Sequence, residues 1–117
     1  MKQLFLLITF LIATIVTQGQ TWDQKGLDID GEAGGDELGS SVSMPDSNTV
    51  AIGAPWNDGN GPQAGHVRIY TWSGSAWVQK GLDIDGEAAY DLSGFSVSMP
   101  DSNTVAIGAC YNDGNGS

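Results

Sequence analysis

The residues best suited to chemistry stand in an acidic run that occurs twice. Asp28-Ile29-Asp30-Gly31-Glu32 returns as Asp83-Ile84-Asp85-Gly86-Glu87. In an extended chain alternate side chains share a side, so the carboxylates of each run would point one way. Oxygens at that spacing around a glycine bend suit Ca²⁺, which takes roughly six to eight oxygen ligands. Asp28, Asp30, Glu32, Asp83, Asp85 and Glu87 are therefore the metal candidates, and Ca²⁺ is the one cofactor they suit. The competing reading is a solvated acidic connection between structural units.

A second candidate is Asn57-Asp58-Gly59-Asn60-Gly61 with Trp56 before it. Asn and Gly accept the positive φ of tight turns, so this run is a turn that displays its neighbours. Trp56, Asn57, Asp58 and Asn60 are the ligand-contact candidates. Trp22, Trp56, Trp72 and Trp77 suit either a sugar-stacking platform or the core between structural units. No catalytic residue is expected. His66 is the only histidine and Cys110 the only cysteine, and no nucleophile-and-base set accompanies them. The glycine turn lacks the lysine and helix of a phosphate loop, and no His/Cys cluster points to zinc.

The charge narrows the partners. The chain has 117 residues and a formal net charge of −10, with every acidic residue after position 20. Such a chain repels phosphate backbones and acidic lipid surfaces, so nucleic acid and membrane are not expected as partners. Residues 1–19 read as a signal peptide. Lys2 precedes an apolar run from Leu4 to Val16, too short for the roughly 20 residues that span a bilayer. Thr17 and Gly19 are small, which places cleavage between Gly19 and Gln20. The expected destination is secretion or the cell surface. A single cysteine excludes an internal disulfide framework.

The elements that must position these residues are repeated. Pro45 to Gly61 returns as Pro100 to Gly116 with two differences, and Trp22 aligns with Trp77 at the same offset of 55. Short runs of alternating pattern predict strands at residues 40–44, 49–54, 66–72 and 76–82. Pro45 is expected to end the first. Ala51 and Gly53 are small, which would let a neighbouring sheet approach closely. In the third, His66, Arg68, Tyr70 and Trp72 fall on one face and Val67, Ile69 and Thr71 on the other. No mature segment has helical period. Four short strands per 55 residues predict an all-β fold of four-stranded antiparallel β-propeller blades in an incomplete ring. One full blade spans about 36–87, a partial blade 91–117, and residues 21–27 form a closing strand. The chain is then expected to be a fragment whose remaining blades lie elsewhere in the full-length protein.

These residues also resemble a known family. Leu38-Gly39, Val42 and Val50-Ala51-Ile52-Gly53-Ala54-Pro55 are similar to an FG-GAP repeat, the blade unit of integrin α-chain propellers. Ser93-Gly94-Phe95 and Gly108-Ala109-Cys110 carry the second copy, and residues 65–70 with Trp77 resemble secreted bacterial members. Phenylalanine is replaced by Leu38 and Ser93, and proline by Cys110. Members often hold calcium between the first two strands; here only Asp46-Ser47-Asn48 and Asp101-Ser102-Asn103 stand there, too short to wrap the ion. The resemblance implies a non-enzymatic role in extracellular or cell-surface binding or adhesion, with a protein or glycan ligand. The alternatives are a structural spacer in a larger secreted protein, or the propeller part of an enzyme whose catalytic residues lie elsewhere.

Overall fold

A computed structural model of the chain describes residues 18–114. The expected signal peptide lies almost wholly outside the described residues, as do residues 115–117. The described chain is all β, with strands β1 (Ser41–Asp46), β2 (Thr49–Ala54), β3 (His66–Trp72), β4 (Trp77–Gln79), β5 (Ile84–Asp85), β6 (Ser93–Asp101) and β7 (Thr104–Ala109). β1 to β4 form one antiparallel meander in chain order, with β5 pairing against the start of β3. β6 and β7 form a second sheet. The first sheet is a four-stranded blade with the two-residue β5 as a fifth strand, and the second is the first hairpin of its copy.

β2 and β3 run over the residues expected. Three other bounds differ. Pro45 does not end β1, which continues to Asp46 with a register break after Ser43. β1 is an edge strand, so the missing proline N–H costs no ladder bond. Pro100 lies within β6 beside the same kind of break. β4 stops at Gln79, before Gly81 turns the chain with φ 79°. Residues 21–27 form no ladder with either sheet among the described residues. Trp22 is 90% exposed, and side-chain bonds from Lys25 hold the segment instead of strand pairing.

β2 is buried along its whole length, so each of its faces has a core of its own. Val50 and Ile52 meet Tyr70 of β3, with Ile29, Leu38 and Trp77 packed around them. On the other face Ala51 and Val67 meet Met99 of β6, with Ile69, Val97, Val105 and Ile107. The first face is thus covered by the acidic connection, the second by the next blade. A buried aliphatic side chain of this size contributes about 1.5–3 kcal/mol through the water it sheds.

The two sheets meet at glycine. A Cβ on Gly53 would run into the backbone carbonyl of Gly94, and one on Gly94 into the carbonyl of His66. Gly94 also has φ 87°, which a side chain rarely adopts. The Ser41 hydroxyl donates to the Gly94 carbonyl at 2.7 Å, and the Ser43 hydroxyl accepts from the Met99 N–H at 2.9 Å. This explains an inversion in β1: its serines are half-buried, while Val42 and Met44 are exposed. In β6 the corresponding Val97 and Met99 pack on the first blade. Val42 and Met44 thus stand at the positions whose copies in β6 pack on a blade.

Candidate functional site

The acidic runs do not gather their own carboxylates. Asp28 accepts from the Gln24 amide at 2.8 Å, as Asp83 accepts from Gln79 at 2.7 Å. Asp28 and Asp30 line a shallow groove with Tyr70 and Trp77, and Asp85 lines another beside Leu82. Glu32 and Glu87 each turn back to an asparagine of the glycine turns: Asn57 donates to Glu32 at 3.0 Å, and Asn112 to Glu87 at 3.1 Å. The carboxylates that do converge come from different copies. Glu32 and Asp83 close on Arg68 of β3, which holds Asp83 with Nε and Nη2, both at 2.7 Å, and also binds Glu32.

The β3 alternation places His66 on the face of Arg68, and the ring reaches this cluster. His66 is 1% exposed, and its Nδ1 lies 3.7 Å from Asp83 Oδ2 with no hydrogen-bond partner among the described residues. An unsatisfied buried polar atom costs about 1–3 kcal/mol. One ring nitrogen of His66 and one oxygen each from Glu32 and Asp83 all lie within 4.8 Å of one another. Hydrogen bonds from Arg68, then from Gln79, hold the Asp83 carboxyl down at about 2, against the burial that opposes ionisation. Glu32 is lowered for the same reason, by Arg68 and then Asn57. Arg68 is correspondingly raised, chiefly by Asp83. Sequence reasoning missed Arg68 and His66 as members of the cluster. The shared face in β3 was visible; the approach of Glu32 and Asp83 to it was not.

The glycine turn divides its residues between scaffold and surface. Asn57 is 3% exposed and donates to Asp36 at 2.8 Å as well as to Glu32, while its side-chain Oδ1 accepts from the Gly59 N–H. Asn112 repeats these bonds to Asp91, Glu87 and Gly114. Asp58 accepts from the Gln63 N–H, and the Asn60 amide donates to the Gly86 carbonyl. Asn57 is therefore a latch between the turn and the acidic connection. Trp56 and its copy Tyr111 are the residues displayed, at 37% and 69% exposure.

A second latch is repeated. Lys25 Nζ donates to the Ser47 carbonyl at 2.5 Å and to Asn48 Oδ1 at 2.8 Å. Lys80 makes the same bonds to Ser102 and Asn103. The short turns at residues 46–48 and 101–103 thus spend these oxygens on an ammonium group. Lys25 also lies 5.0 and 5.2 Å from the ring centres of Trp72 and Trp77, and the Trp77 indole donates to its carbonyl. Trp72 and Trp77 meet edge to face at 5.5 Å, so this pair belongs to the packing between the leading segment and the blade.

A blade stacked on its own copy, with paired glycines and repeated latches, defines a β-propeller-like repeat protein. Residues 23–70 match the model of the FG-GAP repeat. That segment is similar to an FG-GAP repeat, and the Gly53–Gly94 contact joins its GAP run to the corresponding FG position of the copy that follows. No curated protein and no solved structure matches the chain.

Proposed function

We propose that the chain is an exported, non-enzymatic propeller segment whose loops bind an extracellular protein or glycan. The observation that carries this reading is the paired display of Trp56 and Tyr111. Each follows an inner strand, each donates its N–H to the carbonyl of the matching aspartate (Asp36 or Asp91), and each stands on a turn held by a latched asparagine. Exposed aromatic rings on rigid turns offer apolar contact at low entropic cost, and function on such folds lies on loops over a rigid scaffold. The leading apolar run of residues 4–16 supports export. The acidic surface favours partners without exposed phosphate. Adhesion through integrin-like propellers is an analogy of fold, and Ca²⁺ at the acidic runs has weaker support, since the carboxylates within each run turn to different partners and do not converge on one another.

The test is an array of glycans and matrix proteins probed with the chain and with a Trp56→Ala/Tyr111→Ala variant. Binding that the variant loses while its circular dichroism is unchanged supports the proposal. Equal retention by both, or no ligand retained, favours the spacer reading.

A further inference from the structure

We infer that Glu32, His66 and Asp83 form a binding site for a divalent transition-metal cation of the Zn²⁺ type. Its ligand set is one imidazole and two carboxylates, a mixture of nitrogen and oxygen donors that suits Zn²⁺ and excludes an all-oxygen Ca²⁺ cage.

The geometry carries the inference in three ways. First, His66 Nδ1 is buried, aimed at Asp83, and unpartnered among the described residues. A polar atom so placed calls for a ligand, and a metal ion would use its lone pair. Second, the spacing fits. Tetrahedral Zn²⁺ with bonds of about 2.0–2.1 Å sets neighbouring donor atoms roughly 3.3 Å apart. His66 Nδ1 and Asp83 Oδ2 are 3.7 Å apart, and all three donors fall within 4.8 Å, so modest side-chain rotation closes the set. Third, the carboxylates are already oriented. Arg68, Gln79 and Asn57 donate to them; Asp83 Oδ2 and each Glu32 oxygen accept one bond and keep a further lone pair, which is how supporting partners fix the ligands of metal sites. Against two carboxylates the single guanidinium leaves a net negative charge for a cation to meet. The fourth position would fall to water.

The ion would join the two copies of the repeat. Glu32 comes from the first acidic run and Asp83 from the second, with His66 on the strand between them. The acidic run thus serves as a ligand donor across repeats, instead of as a loop closed on itself.

His66 is the chain's only histidine, so one ring reports on the site. The full chain, without a histidine tag, is stripped with EDTA, dialysed, and titrated with ZnCl₂ at pH 7 while the imidazole nitrogens are followed by ¹⁵N NMR. The Nδ1 resonance should move and saturate at one equivalent. CaCl₂ at the same concentrations should leave it in place. Glu32→Gln, at an exposed position where the amide oxygen still accepts from Asn57, should weaken Zn²⁺ binding at least about tenfold. Imidazole nitrogens unmoved by several equivalents, a shift confined to Nε2, or equal affinity in Glu32→Gln would overturn the site.

Discussion

Asp83 shows how far a single side chain is defined by partners distant in sequence. Its carboxyl is held at about 2 by Arg68 fifteen residues away, so its bond is stabilising only while it stays ionised. A free aspartate titrates near 3.9. The contribution is therefore complete above about pH 4 and is lost as pH falls toward about 2. Asp83→Asn should flatten the fall in stability between those values, measured by urea unfolding at a series of pH values. An unchanged acid limb would show that the pair contributes nothing. Asn57 makes the same point about burial. Its turn is evident from NDGNG, but the turn pattern alone marks it as exposed. What buries it is Asp36, twenty-one residues earlier. Asn57→Ala should cost about 1–3 kcal/mol by removing the amide that donates to Asp36 and Glu32. An unfolding midpoint within error of the parent would contradict the latch.

The elements were legible where local pattern decides them. β2 and β3 follow from alternation and from turn residues at both ends, and their bounds stand as read. β1 and β4 did not, because an edge strand tolerates Pro45 and a left-handed glycine cuts β4 short, and neither is an effect of periodicity. The small residues in β2 carried more information than their size suggests. Gly53 faces backbone in the next sheet, whereas its copy Gly108 faces chiefly the movable side chain of Ser96. Gly53→Ala should destabilise by about 1–3 kcal/mol, and Gly108→Ala by clearly less. Equal effects in thermal unfolding would mean that the sheets do not meet at Gly53. The methionines give a second matched pair. Met99 is 6% exposed and Met44 55%, although the surrounding sequence is the same. Met99→Ala should cost about 2–5 kcal/mol and Met44→Ala well under 1.

At the scale of the whole molecule the repeat is a stacking rule. Its offset of 55 residues reappears in the lysine latch, the asparagine latch and the aspartate turns, bond for bond. Identical sequence thereby produces unequal burial: a face is core where a neighbouring blade lies on it and surface where none does. No single-repeat reading could assign Val42 and Met44 to one class and Val97 and Met99 to the other. Glu32 and Asp83 stood among the metal candidates of the sequence, but their convergence on His66 was not legible for the same reason, since the two carboxylates belong to successive repeats and meet only once the blade has formed. The central claim is that the second repeat packs face to face on the first, with Met99 against Ala51 and Val67. Methyl NOE spectroscopy on the full chain tests it directly. Cross-peaks from the Met99 methyl to the Ala51 and Val67 methyls, with none to these residues from Met44, are the predicted result; a Met99 methyl without contacts to either would contradict the stacking.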